Sequence, residues 1–321
     1  MATMGAAGGS AAWVPPAGLT DFLGQPLAGA TDFFHPPPPE IGPLVAAQSN
    51  LKAGKVPMSA GTRNLLIGAG VLAGVLLAVV IGSSQRGPNN PVPVPMGIIG
   101  GAVGAVMSAV AIVNLTKYVG VCGYVGRDGV ALYAIKGSKS SLAEAHVLRF
   151  DAAEEVRTWQ VYITVNGVPS VSAFHFEWLD QAGAVAFRVA GAAPRPGARP
   201  SPNNVRYLLG QAAHTVWNER AWARLAPALA AGQPVTFRIG KAGYARLEPG
   251  AIDVKVRDKQ GRIVPDPYET AVSANNGTVT LSGPSADKPG KSLKFSFEHR
   301  LFGNAHLFFQ CCERRWGLTV Q

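Results

Sequence analysis

Hydrophobic positions fall into three regimes along the chain. Residues 65–81 carry no charge and hold 5 Leu, 2 Ile and 4 Val among 17 residues, the rest Gly and Ala. At about −0.3 to −0.6 kcal/mol for each of those large aliphatics, insertion into a bilayer would gain roughly 3–6 kcal/mol. A helix of that length spans about 26 Å, close to a hydrocarbon core of roughly 30 Å. Residues 96–115 are also charge-free, with more Gly and Ala and only Ser108 and Asn114 distinctly polar. This regime predicts a transmembrane hairpin over 64–116, with spans at 65–82 and 96–115. Gly70 and Gly74, and Gly97, Gly101 and Gly104 with Gly100, recur at the four-residue spacing that lets helices pack closely in lipid. They suit packing of the two spans on each other or a homodimer.

Residues 1–60 form the second regime. They are rich in Ala, Gly and Pro, include the run Pro36–Pro39, and read as a disordered tail. The proline run would also suit an aromatic groove on a partner.

The third regime, from residue 117, is short runs of apolar and polar alternation broken by turn residues. Candidate strands lie at 119–125, 130–136, 146–150, 156–165, 171–178 and 184–189, followed by a helix over 203–231 that Pro227 should kink or restart. The order then repeats, with strands at 235–239, 244–248, 252–257, 268–273, 278–281 and 292–297. Asn276-Gly277 is a strong two-residue hairpin signal, and Asn304 is placed to cap a closing helix ending near Trp316. Two halves follow, 117–232 and 233–321.

These residues resemble an uncharacterised bacterial family, a domain of unknown function with tandem pleckstrin-homology-like halves, often behind membrane helices. The resemblance is carried by Gly129-Val130-Ala131-Leu132-Tyr133, by Leu148-Arg149-Phe150-Asp151 leading to Glu155-Val156, by Leu225-Ala226-Pro227-Ala228-Leu229 with Gly232-Gln233-Pro234-Val235, and by Asn304-Ala305-His306-Leu307-Phe308. It covers about two-thirds of the chain. The second half departs from the family at Val264-Pro265-Asp266-Pro267-Tyr268-Glu269, where a tryptophan and an acidic pair are usual. The family offers no catalytic residue to transfer. The resulting expectation is an α+β architecture: a two-helix transmembrane hairpin, then two pleckstrin-homology-like barrel halves, each closed by a C-terminal helix.

Charge adds a direction. Charged residues are only 15% of the chain, which agrees with a part that does not face water. Lys+Arg number 29 against 19 Asp+Glu, and residues 117–321 hold 25 of the basic and 16 of the acidic residues. Lys52, Lys55 and Arg63 before the first span, and Lys117, Arg127 and Lys136 after the second, outnumber the single Arg86 between them. The positive-inside rule then places both termini in the cytoplasm and the chain in the inner membrane. Anionic lipid head groups or a protein are the partners expected there. Nucleic acid is not, because the basic residues are scattered and no recognised module is visible.

Candidate chemistry is sparse. The three cysteines, Cys122, Cys311 and Cys312, cannot form a disulfide framework and read as packing residues. His35, His146, His175, His214, His299 and His306 show no metal-ligand spacing, and there is no nucleophile elbow or phosphate loop. No catalytic residue, cofactor or metal is therefore assigned. Arg206, Arg220 and Arg224 lie with Trp217 and Trp222 on the middle helix, and Arg195 and Arg199 precede it. They suit an interfacial face on lipid or a partner; alternatively the Trp rings close the strand core and the arginines are solvated. The expected function is non-catalytic: an integral membrane protein presenting a cytoplasmic tandem module for protein or anionic-lipid binding. The alternative is a membrane-bound enzyme with a site between the halves.

Overall fold

A computed structural model describes residues 13–27, 33–50, 64–65, 67–69, 72, 119–136, 142–165, 168–194 and 197–320. The chain divides into two compact units, one of Met1–Asn50, Cys122–Leu132 and His146–Gln321, the other of Leu51–Val121 and Tyr133–Ala145. Few residues of the second are described, and the site geometry below belongs to the first.

Strands dominate. β1 (Leu44–Ser49), β2 (Val119–Gly126), β3 (Gly129–Lys136) and β4 (Leu142–Arg149) form one sheet in that order. β5 (Glu155–Val165), β6 (Val168–Leu179) and β7 (Val185–Ala192) form a three-stranded antiparallel sheet, after which α1 (Val205–Ala230) follows. A four-stranded meander of β8 (Val235–Ile239), β9 (Gly243–Glu248), β10 (Ala251–Val256) and β11 (Lys259–Ile263) comes next. β12 (Ala271–Asn275), β13 (Thr278–Pro284) and β14 (Ser292–Glu298) make the last sheet, and α2 (Ala305–Trp316) closes the chain.

Local chemistry explains the best-placed elements. Asn276 and Gly277 both take positive φ, 50° and 73°, and join β12 to β13 through the pair Asn275↔Thr278. Such a turn matches the twist of the strands it connects. Alternation along β8 buries Val235, Phe237 and Ile239 and exposes Thr236 and Arg238. On α1, Val205, Leu208, Leu209, Ala213, Trp217 and Ala221 form the buried stripe of an amphipathic helix. Gly210 is the point of closest approach to the sheet, because a Cβ there would overlap the Phe176 ring. Pro227 lies in the last turn, and the helix continues past it to Ala230.

The expected architecture needs correcting. The described residues are mostly antiparallel β-sheet, and no helix among them is long and apolar enough to cross a membrane. α1 is long enough, at about 39 Å, but it carries Arg206, Glu219, Arg220 and Arg224; α2 has only 12 residues. A transmembrane hairpin leading two pleckstrin-homology-like halves is therefore not the fold these residues describe. The expectations built on it, an integral membrane protein with two spans in the inner membrane and both termini in the cytoplasm, fall with it. The signal behind the spans was apolarity, and their orientation rested on the basic flanks. The stretches 65–82 and 96–115, with Gly70, Gly74, Gly97, Gly101 and Gly104, lie outside the described residues apart from 65, 67–69 and 72.

Two strands escape the sequence pattern. β1 falls in the stretch expected to be disordered, yet it pairs with β2 in antiparallel register from Leu44↔Gly126 to Ser49↔Cys122 and buries Ala46, Ala47 and Gln48. β11 is polar along most of its length, and only Ile263 is fully buried. A two-residue turn at Arg257-Asp258 folds it onto β10, so backbone pairing supplies the order that its side chains do not.

Candidate functional site

The site grows from an exposed strand edge. β5 is the end strand of the β5-β6-β7 sheet, so every second residue turns its N–H and C=O away from β6. Val156 is one of these. Its N–H donates to Asn304 Oδ1 at 2.8 Å, and its carbonyl accepts from the Asn304 backbone N–H at 2.8 Å. Asn304 Nδ2 also donates to the Glu154 carbonyl at 3.1 Å. One asparagine thus clamps the first part of the edge. Asn304 takes the left-handed conformation, φ 54°, and makes no side-chain cap bond to α2. The sequence reading of Asn304 as a helix cap is corrected: its position is right, but its side chain serves the strand.

The clamp continues for two residues. Thr158 O lies 3.1 Å from His299 Nδ1, in the short 3-10 turn His299–Leu301. Gly303 lies so close to Glu155 that a Cβ would overlap its carboxyl side chain. Glu155 is buried beside Arg157 at 2.5 Å and Arg238 at 3.9 Å. Burial raises its pKa, and the two guanidiniums oppose that shift.

Past Thr158 the edge is open. Gln160 is the next residue in the outward-facing set, and its backbone has no hydrogen-bond partner outside the sheet among the described residues. A groove of about 590 Å3 runs here. Phe174 and Phe176 of β6 line it together with Tyr207 and Gln211 of α1, while Asn276–Thr278 and Glu298–Arg300 line it from the last sheet. Phe174 packs edge-on against Tyr207, with centroids 5.2 Å apart, and Gln211 Nε2 donates to the Tyr207 hydroxyl at 2.9 Å. Trp159 and His175 are cross-strand partners whose rings stack at 4.3 Å and 5°.

The groove is nearly neutral. Desolvation lowers the pKa of both His175 and His299, so neutral imidazoles face it at physiological pH. Glu298 and Arg300 are ion-paired to each other. A site of this kind suits an uncharged main chain and apolar or aromatic side chains better than an anion. Among the described residues, no three His, Cys, Asp or Glu side chains gather as a metal cluster. Cys311 and Cys312 are fully buried, and burial pushes the Cys311 thiol up to about 11 and raises the Cys312 thiol well above its ordinary value. Both therefore stay protonated and act as packing groups.

The residues singled out on the middle helix divide by environment. Trp217 is 1% exposed, a core residue. Trp222 is half-buried, with the Arg314 guanidinium 4.5 Å from its ring centroid. Arg220 pairs with Asp128 at 2.6 Å. Arg206 is half-buried, and Arg224 and Arg199 are exposed. Arg195 lies outside the described residues. The alternation of β5 was visible in the sequence, but its open edge was not, because the clamp comes from a residue 148 positions away.

A half-buried histidine beside the site gives a pH signature. His214 on α1 lies between Phe176 and His306, with ring centroids 5.9 and 6.1 Å away. Burial, and secondarily the His306 charge, lower its pKa from 6.5 to about 4. The folded value lies below the unfolded one, so the fold favours the neutral ring. Its contribution is complete above about pH 6.5 and is lost as pH falls towards 4. We expect unfolding free energy to drop by about 2–3 kcal/mol across that window from this residue. Urea titrations at pH 7 and pH 4.5 should show the drop, and His214→Phe should shrink it.

No family model matches the chain, and no curated protein is similar to it in sequence.

Proposed function

We propose that this chain is a protein-binding module that receives an extended peptide as an added strand on β5. The carrying observation is the open edge at Gln160 lying inside a walled groove. Main-chain hydrogen bonds supply affinity in this mode, and pockets for alternate side chains supply selectivity. The peptide would sit about 4.8 Å from β5. Phe174, Tyr207 and the Trp159–His175 pair offer apolar contact to its alternate side chains. A single extended peptide fits a groove bounded by Tyr207 and Gln211 of α1 on one side and by the Asn276–Thr278 turn on another.

The test is panning a random 12-residue peptide library on the full chain. Enriched peptides should lose at least tenfold in affinity when alternate backbone amides are N-methylated. Gln160→Pro should abolish binding while leaving the thermal midpoint nearly unchanged, because an end strand tolerates proline at an outward-facing N–H. Peptides that bind Gln160→Pro as tightly as the native chain would overturn the reading.

A further inference from the structure

A second cleft, of about 870 Å3, lies in the other half of the same unit and shares only Thr278 and Glu298 with the peptide groove. In a meander the first and third turns lie at the same end, so residues 240–242 and 257–258 come together, facing β14. Lys241, Arg257, Lys259 and Lys294 line the cleft. None of the four has an ion-pair partner among the described residues. Many arginines elsewhere are paired, such as Arg188 on Glu177 at 2.7 Å, Arg220 on Asp128 at 2.6 Å and Arg262 on Glu248 at 2.8 Å; Lys255, Lys288 and Lys291 have no ion pair among the described residues either, and what sets the four apart is that they converge on one cleft. The acidic groups on the cleft are Asp258 and Glu298, and Arg300 already engages Glu298.

The β10–β11 turn decides where Arg257 lies. Arg257 holds φ 54°, a left-handed conformation in which glycine would sit without penalty. It is the first position of the two-residue turn, and it sets Arg257 at the rim of the cleft.

We propose that this cleft binds a compact, multiply charged phosphate compound, a polyphosphate or phosphate ester. A guanidinium fork pairs with phosphate oxygens in two-point fashion, and the three lysines act as surrounding point charges. Nucleic acid fits less well. Its backbone needs a basic stripe, while many of the other arginines are neutralised by partners, and Phe295 and Phe297 are too buried, at 4% and 7%, to stack on bases.

Calorimetric titration of the full chain with tripolyphosphate tests the proposal. Binding should weaken with added salt, and Lys241→Ala or Lys294→Ala should weaken it severalfold. Arg257→Gly separates binding from folding: it should raise the melting temperature while weakening tripolyphosphate about tenfold, and leave peptide binding at β5 unchanged. An unchanged affinity in Arg257→Gly would overturn the proposal. So would equal affinity for sulfate, which would mean charge attraction without a site, or tighter binding of a single-stranded oligonucleotide, which would mean a nucleic-acid surface.

Discussion

Trp217→Ala should destabilise the chain by about 3–5 kcal/mol in urea unfolding, the usual cost of truncating a fully buried tryptophan. Trp217 is 1% exposed and belongs to the buried stripe of α1 with Leu209, Ala213 and Ala221. The helix would keep its propensity but lose its largest contact with the core. Trp222→Ala is the internal comparison. That ring is half-buried and mainly carries the Arg314 guanidinium, so its loss should cost about 1 kcal/mol. Equal effects of the two substitutions would mean that α1 does not pack as described, and would return Trp217 to the surface role that sequence alone left open.

The second large effect lies at the clamp. Asn304→Ala removes the acceptor for Val156 N–H and the donor to Glu154, and places alanine at φ 54°. Losing those bonds and adding left-handed strain should together cost roughly 2–4 kcal/mol. Asn304→Gly relieves the backbone part and should cost about 1–2 kcal/mol, from the lost bonds alone. The ordering Ala worse than Gly is the signature of a left-handed position; the reverse ordering would contradict the geometry. Either variant frees the Val156 N–H and the Glu154 carbonyl, while the Asn304 backbone N–H still holds the Val156 carbonyl and His299 still holds Thr158.

Local patterns carried many of the individual strands and both helices, but not the architecture, and little of the site. Asn276-Gly277 announced its hairpin because positive φ at both positions is a property of those two residues. Alternation placed β5 and β8 because one face of each is buried. β1 was missed because its partner β2 lies about seventy residues away, across a long apolar stretch that dominated the reading. β11 was missed because Lys259-Gln260-Gly261-Arg262 has no alternation, and its order comes from the turn before it. The apolar runs drew the opposite error: lack of charge was read as membrane insertion, and the described residues contain no spanning helix. Both candidate sites are products of tertiary placement. The groove needs Asn304 beside Val156, and the basic cleft needs hairpin tips that gather Lys241, Arg257 and Lys259 with Lys294. Neither leaves a motif in the chain.

The central claim is that β5 presents an open edge beyond Thr158. Hydrogen exchange at single-amide resolution tests it most directly. The account predicts fast exchange at the Gln160 amide, and slow exchange at Val156, held by Asn304, and at Trp159, which faces β6. Addition of a selected peptide should then slow Gln160 without altering Trp159. A Gln160 amide as protected as Trp159 in the free protein would show the edge already occupied and contradict the account.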